Sequence, residues 1–296
     1  MPVSEAGGTG HVPVLLAETL AGLAPVPGGI YVDATFGAGG HSRALLALLG
    51  PQGRVLALDR DPAARLRPDD NPRLDLVAAN FADLAAVLDA RGIDLVDGVL
   101  FDFGVSSMQF DEPERGFSLA ADGPLDMRMN PSIGPSALEL LATSEERELA
   151  DLIYAYGEER AARRIARAIV AARDAGKLPE RTLELARLVA GVVHVRGKRE
   201  RIHPATRTFQ ALRIAVNDEL GAIERGLDAA IARTRPGGRI AAISFHSLED
   251  RIVKLRFRSD ERVVALAKKP LVAGDEELAR NPRARSAKLR IAERVA

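Results

Sequence analysis

The chain has 296 residues, of which 47% are hydrophobic and 28% are charged, and its formal net charge is zero. These values predict a folded protein with one large domain or two smaller ones. No apolar run approaches the roughly 20 residues of a membrane span, and the first residues lack a signal pattern, so a cytoplasmic protein is expected. The absence of cysteine excludes disulfides, thiolate metal sites and a cysteine nucleophile, and only five histidines leave a metal site possible but unsupported.

The charge is unevenly distributed along the chain. Residues 160–213 carry 14 Lys and Arg against 4 Asp and Glu, whereas residues 1–159 carry 10 against 25. A basic segment within a neutral protein predicts a polyanionic partner.

The first predicted unit is a strand, a glycine-rich turn and a helix. Residues 30–32 favour a short buried strand, and the glycines of residues 37–40 lead into the apolar run of residues 44–49. Such a turn lets backbone N–H groups approach a ligand at the positive end of the helix. Ser42 stands where a dinucleotide fingerprint has its third glycine, which disfavours a nucleotide-dependent oxidoreductase. A glycine-rich turn without any ligand is the alternative.

Two carboxylates follow the first two predicted strands. Asp33 ends the first strand, and Asp59 ends the second at residues 54–58. Asp33 would repel a pyrophosphate but can hold an ammonium group or ribose hydroxyls, and a carboxylate at the place of Asp59 commonly binds ribose hydroxyls. Together they favour a nucleoside with a cationic amino-acid tail, which describes S-adenosylmethionine.

Strands and helices alternate through the first hundred residues. A helix is predicted to begin at Pro62, followed by strands at residues 74–78 and 96–101. This alternation predicts a doubly wound, mostly parallel sheet. Phe81, just past the third strand, packs either against a purine or into the core.

The rest of the chain predicts a helical domain inserted into an α/β core. The turn-rich residues 108–135 are too long for a plain connection and indicate a functional loop. We expect the core to comprise residues 1–107 and 207–296, and the inserted substrate-recognition domain residues 108–206. The later predicted elements are helices over 136–203, a long helix to about 234, a turn at 236–238, a fifth strand at 239–245 and an edge strand at 287–294.

Arginines recur at helical spacing within the basic segment. Such a stripe is often only a solvated helix face, but the segment also contains the basic residues 196–201, which favours contact with a polyanion. The RNA-binding candidates are Arg160, Arg163, Arg164, Arg167, Lys198, Arg199 and Arg207.

The chemistry expected at the sheet edge is methyl transfer to nitrogen. Carboxyl ends of parallel strands meet at one edge, so Asp33, Asp59 and Asp102 should lie near each other. Methyl transfer needs the acceptor in line with the sulfonium at about 3 Å, and carbon-5 methylation of pyrimidines would need a cysteine. Asp102, with Ser106 and Ser107 after it, is the candidate for contact with a reacting amine. Asp102 can instead hold the cofactor's ammonium group or cap the following turn.

Nine motifs, in order, closely resemble the bacterial 16S ribosomal RNA cytosine-N4 methyltransferase family. They cover residues 33–42, 59–62, 102–107, 114–118, 123–129, 156–160, 203–210, 244–251 and 281–290.

The resemblance implies a class I methyltransferase core, an inserted helical domain, S-adenosylmethionine as cofactor and a cytidine in the decoding region of the small ribosomal subunit. The partner would be 16S ribosomal RNA or the small subunit, with no membrane or metal, and the protein a monomer or homodimer. Residues 63–73 and 256–268 look shorter than in the family. A non-catalytic RNA-binding or assembly factor and a nucleotide-cofactor oxidoreductase are the alternatives.

The resemblance also implies which residues contact S-adenosylmethionine. They are Gly39, Gly40, His41, Asp59, Phe81, Asp102 and Gln109.

Overall fold

A computed structural model describes residues 13–193 and 203–295. No helix in this part of the chain is both long and apolar enough to span a membrane. Its strands form one seven-stranded sheet. The strands are β1 (Ile30–Asp33), β2 (Arg54–Asp59), β3 (Leu74–Ala78), β4 (Val96–Asp102), β5 (Thr234–Ser244), β6 (Val263–Ala265) and β7 (Lys288–Arg294).

Helices precede and separate these strands. They are α1 (Leu16–Leu23), α2 (Gly40–Leu48), α3 (Leu84–Ala90), α4 (Ser107–Asp111), α5 (Ala137–Thr143), α6 (Glu146–Gly157), α7 (Ala162–Asp174), α8 (Thr182–Val192), α9 (Thr206–Asn217), α10 (Glu219–Arg233), α11 (Ser247–Ser259) and α12 (Asp275–Arg280).

The strands are ordered β3-β2-β1-β4-β5-β7-β6 across the sheet. Strands β1 to β5 pair in parallel, and β7 pairs antiparallel with both β5 and β6. Six of the seven residues of β4 are buried, as expected for a central parallel strand covered on both faces. The predicted doubly wound, mostly parallel sheet is confirmed.

Four sequence predictions about elements were wrong. β7 is not the edge strand, because the three-residue β6 lies outside it. Residues 236–238 lie within β5, where its register with β4 shifts. The long helix breaks at Asp218, whose φ of 46° is left-handed. No helix begins at Pro62: the Asp61 carboxyl accepts the Ala63 N–H, as an N-cap side chain does, but the chain makes only a turn there and does not continue as a helix.

The chain divides into two compact units, Met1–Gly104 with Glu224–Ala296, and Val105–Ile223. The second unit is helical and interrupts the sequence of the first. Its second boundary differs from the one expected after residue 206, because α9 packs against α6 and contributes Phe209 and Leu212 to the helical core. That core also contains Ile153, Ile165 and Ile169, which face inward from α6 and α7.

Candidate active site

The glycine turn between β1 and α2 is closely packed. Gly39 precedes α2 with a φ of 76°, and a Cβ there would lie 2.6 Å from the Phe36 ring. A Cβ on Gly40 would lie 2.3 Å from Cγ of Pro13. Side chains at these positions are therefore excluded by neighbouring parts of the chain, and contact of both glycines with the cofactor stays a prediction.

Asp33 is buried inside this turn and hydrogen-bonded on both oxygens. Oδ1 accepts the Thr35 N–H at 3.1 Å, and Oδ2 accepts the Ser42 hydroxyl at 2.5 Å. Burial raises the pKa of the Asp33 carboxyl to about 7. These bonds make Asp33 a positioning residue that joins β1 to the first turn of α2, and its direct contact with a cofactor stays a prediction.

Thr35 links this turn to the end of β4. Its Oγ1 accepts the Asp102 N–H at 2.7 Å, and its hydroxyl also hydrogen-bonds the Asp33 carboxyl. Sequence reasoning missed both Thr35 and Ser42, because an uncharged hydroxyl in a turn carries little signal until its partners are known.

Asp59 connects the glycine turn to the end of β2. Its Oδ2 accepts the Gly37 N–H and its Oδ1 accepts the Asp61 N–H, each at 2.8 Å. Burial raises the pKa of the Asp59 carboxyl. Each carboxylate oxygen can accept more than one hydrogen bond, so these contacts are compatible with added ribose hydroxyls.

Asp102 is the last residue of β4, and one of its two carboxyl oxygens accepts no hydrogen bond from any described residue. Its Oδ1 has no hydrogen-bond partner in the described part of the chain, and its side chain is 25% exposed. Burial raises the pKa of the Asp102 carboxyl well above its ordinary value, and the carboxyls of Asp33 and Glu249 add to the effect. A cationic or N–H-donating ligand would offset the cost of this unsatisfied group.

His41 lies beside Asp102. Its Nε2 is 3.0 Å from the Val14 carbonyl, and its Nδ1 is 3.7 Å from Asp102 Oδ2. Because a carbonyl oxygen only accepts, the hydrogen bond to Val14 requires a proton on Nε2. The ring is therefore held in one orientation, with Nδ1 toward the Asp102 carboxyl.

Glu249 is a further buried carboxylate near Asp102 that sequence reasoning did not assign to the site. It lies in the first turn of α11, and its Oε2 accepts the Phe245 N–H at 2.7 Å. The helix that follows β5 thus places a second carboxyl, that of Glu249, near Asp102 at the end of β4. Only the match of residues 244–251 to a motif signalled it.

Phe81 belongs to an aromatic cluster with Phe101 and Phe103. Its ring centroid is 5.7 Å from that of Phe101 and 5.8 Å from that of Phe103. A Cβ on Gly226 would lie 2.8 Å from the Phe81 ring. Phe81 is thus part of the core packing, while its partial exposure leaves purine contact as a prediction.

Ser106, Ser107 and Gln109 belong to the second unit. Ser106 caps α4, because its Oγ accepts the Gln109 N–H at 3.3 Å while Gln109 Oε1 accepts the Ser106 N–H at 3.0 Å. Ser107 is the first residue of that helix. The cap accounts structurally for Ser106 and Gln109, and the catalytic and cofactor roles of all three stay predictions.

The arginine stripe is exposed on the helical unit. Arg160, Arg163 and Arg164 have no carboxylate partner among the residues described, whereas Arg167 lies 3.6 Å from a Glu146 oxygen. Arg207 is also exposed and its guanidinium is 3.5 Å from the Glu158 carbonyl. The other two RNA-binding candidates, Lys198 and Arg199, lie outside the described residues.

Comparison with known proteins decides the family. The model of the MraW methylase family matches residues 8–295. The chain belongs to this family. A relative from Geobacter sulfurreducens, named ribosomal RNA small subunit methyltransferase H, is 50% identical over 96% of this chain and 99% of its own. A relative of the same name from Nitrobacter hamburgensis is 52% identical over 97% and 91% of the two chains.

Membership in the MraW methylase family makes the chain an S-adenosylmethionine-dependent methyltransferase. Its strand order, with β7 antiparallel between β5 and β6, is that of the class I methyltransferase fold. A solved rRNA methylase from Streptococcus thermophilus is 13% identical, with a TM-score of 0.41 over 95% of this chain and 93% of its own.

Proposed function

We propose that this protein transfers a methyl group from S-adenosylmethionine to the exocyclic N4 amine of a cytidine in 16S ribosomal RNA, in the cytoplasm. The observation that carries the site assignment is the Asp102 carboxyl, which ends β4 with an oxygen that no described residue bonds. The names of relatives that are about half identical in sequence support ribosomal RNA of the small subunit as the substrate.

The side chains at the sheet edge suit the polar groups of this cofactor. S-adenosylmethionine supplies a methyl group on a positively charged sulfur. Asp59 is the candidate for the ribose hydroxyls, and the backbone that follows Gly39 can approach the amino-acid tail. Asp102 is the candidate for the ammonium group, because a cation offsets the burial of a carboxyl whose Oδ1 no described residue bonds.

Asp102 can also act on the acceptor amine. The lone pair of an exocyclic amine is delocalised into the ring, which makes the nitrogen a poor nucleophile. An oxygen that accepts a hydrogen bond from one N–H group of this amine favours a pyramidal nitrogen with the lone pair available. Holding the ammonium and polarising the amine predict different kinetic results for the same substitution.

Asp102→Asn separates the two roles, because it keeps the shape of the side chain and removes the charge. If Asp102 mainly holds the ammonium, cofactor affinity falls and saturating cofactor restores much of the rate. If it mainly polarises the amine, affinity is kept and the single-turnover rate drops by about 10²-fold. A folded variant with wild-type affinity and rate would contradict both roles.

The function itself is tested on ribosomal RNA from cells that lack the protein. The purified chain, given S-adenosylmethionine and small subunits or deproteinised RNA, is expected to add one methyl group that mass spectrometry maps to N4 of a cytidine. Cofactor binding without transfer to either substrate would support an assembly factor instead. Methylation of a different atom or a different RNA would also contradict the proposal.

A further inference from the structure

The sheet register brings the chain that precedes β7 to the same edge as the candidate active site. Lys288, the first residue of β7, pairs with Ser244, the last residue of β5. Because β7 is antiparallel, its beginning lies beside the carboxyl end of β5, whose neighbour β4 ends at Asp102. Residues 282–286, immediately before β7, therefore enter the sheet from the active-site edge.

A second segment reaches this edge along the other side of β7. After β6, the Leu266 N–H donates to the Ile291 carbonyl at 2.9 Å. Leu271 then pairs with Leu289, with both backbone hydrogen bonds at 2.9 Å. Residues 266–271 thus follow β7 toward the edge where it begins.

Three cations on these segments are exposed and unpaired. Lys268, Lys269 and Arg285 have no ion-pair partner among the residues that the structure describes. Two neighbouring cations differ, since Arg290 lies 2.7 Å and Lys288 3.7 Å from Asp250 carboxylate oxygens. At this edge, the Lys288 and Arg290 charges are therefore held by Asp250, whereas the other three cations are available to bind a ligand.

The available charges are within reach of an RNA strand that enters the active site. The segment with Lys268 continues from β6 beside β7, so it is separated from β4 by the two strands β5 and β7. Because neighbouring strands are about 4.8 Å apart, this segment lies roughly 15 Å across the sheet from Asp102. Exposed cations without carboxylate partners are suited to phosphates, which fix the register of a nucleic acid without reading its bases.

We propose that Lys268, Lys269 and Arg285 form a phosphate-binding surface, the basic edge, for the RNA strand that flanks the methylated nucleotide. The assignment rests on the proposed function for the identity of the RNA. It is independent of the arginine stripe, because the basic edge belongs to the methyltransferase core itself. The basic edge positions the substrate and takes no part in methyl transfer.

The test compares two double variants of the full chain. Lys268→Gln/Lys269→Gln removes two charges from the basic edge. Arg54→Gln/Arg258→Gln removes two exposed charges from elsewhere in the same unit, since Arg54 begins β2 at the opposite edge and Arg258 lies in the last turn of α11. Binding to deproteinised 16S ribosomal RNA is measured against salt concentration, and cofactor affinity is measured by calorimetry.

The first variant is expected to bind RNA several-fold more weakly, with the logarithmic salt slope reduced by about 1.4–1.8 for two lost phosphate contacts. Cofactor affinity stays at the wild-type value, and KM for RNA rises while kcat at saturating RNA is kept. The control variant keeps most of the slope.

Equal RNA affinity and salt slope in the two variants and the wild type would overturn the proposal. A wild-type chain that binds the RNA but transfers no methyl group would contradict the proposed function instead. The binding comparison needs no turnover and remains decisive for the basic edge in that case.

Discussion

Thr35 connects the ends of β1 and β4 through one hydroxyl group. The hydroxyl oxygen accepts the Asp102 N–H, and the hydroxyl also hydrogen-bonds the Asp33 carboxyl. The backbone N–H of Thr35 donates separately to Asp33. Thr35→Val keeps the branched shape but leaves the Asp102 N–H without this acceptor. We expect a loss of about 1–2 kcal/mol in the free energy of unfolding, measured by urea denaturation.

Thr35→Ser is the matched control, because serine retains the oxygen. It should recover most of the loss and should also recover the cofactor affinity that the valine variant is expected to lose by misplacing Asp102. If the valine and serine variants are equally stable and bind cofactor equally well, the hydroxyl does not position Asp102.

Asp33 makes the stability of the fold depend on pH. Its pKa is about 7 in the folded protein because of burial, against an ordinary value of 3.8. Between these values the folded state binds a proton that the unfolded state has lost, so this group's stabilising contribution is present at low pH and is lost as pH rises toward 7. The slope reaches at most about 1.4 kcal/mol per pH unit.

Asp33→Asn removes this titration while keeping an acceptor for the Thr35 N–H. The difference in unfolding free energy between the variant and the wild type should therefore shift in favour of the variant as pH rises from about 4 to 7. Urea denaturation at several pH values measures it. A constant difference across that range would show that the carboxyl does not titrate there.

At the scale of elements, residues 123–129 are fixed by a hydrogen-bonded amide from α9. Met127 has a left-handed φ of 60°. The Asn217 amide donates to the Met127 carbonyl at 2.7 Å, and its oxygen accepts the Met129 N–H at 2.7 Å. The side chains of Leu125, Met127 and Met129 are buried in the helical core. This part of residues 108–135, the stretch that the sequence suggested as a functional loop, is therefore packed into its unit.

Asn217→Ala should destabilise the protein by about 2–3 kcal/mol, because it leaves buried backbone groups of residues 127 and 129 without partners. Asn130→Ala, directly after this segment, is the control, since the Asn130 side chain accepts only the exposed Ser132 N–H among the described residues. Its effect should stay within about 0.5 kcal/mol. Similar losses in both variants, measured by urea denaturation, would contradict the assignment.

The sequence predicts elements well where local pattern and final packing agree. β3 appears at the predicted residues, and β1, β2 and β4 each extend one residue further, to the aspartate at the strand end. Before that aspartate, β1, β2 and β4 are mostly buried apolar runs, which is the pattern of central parallel strands. β6 was missed because three residues are too few for a pattern. The break at Asp218 was missed because it depends on a left-handed backbone that the apolar periodicity does not signal.

The carboxylates at the strand ends could be predicted from the sequence, but the hydroxyl groups that orient the turn could not. Asp59 and Asp102 lie at the sheet edge because strand ends carry them there. The partners that orient the turn were not predictable, since Thr35 and Ser42 act through hydrogen bonds across 67 and 9 residues of sequence. Hydroxyl groups of this kind are recognised only after the strand ends have been brought together.

On the scale of the whole molecule, a zero net charge conceals exposed cations, and two groups of them among the described residues are proposed to bind RNA. One is the basic edge of the core, and the other is the arginine stripe of the helical unit. The structure refines the stripe, because Arg167 is already near Glu146, whereas Arg163 and Arg164 have no carboxylate partner among the residues described. The stripe is thus best tested at positions 163 and 164.

Arg163→Gln/Arg164→Gln should weaken RNA binding alike for all sequences, because phosphate contacts carry no base information. The logarithmic salt slope should fall by about 1.4–1.8, as measured by RNA binding from low to high salt, while cofactor affinity is unchanged. Lys177→Gln/Arg187→Gln removes the same charge from exposed positions of the same unit outside the stripe. If it lowers the slope as much, only the net charge of the unit matters. If neither pair changes binding at low salt, the stripe is a solvated helix face.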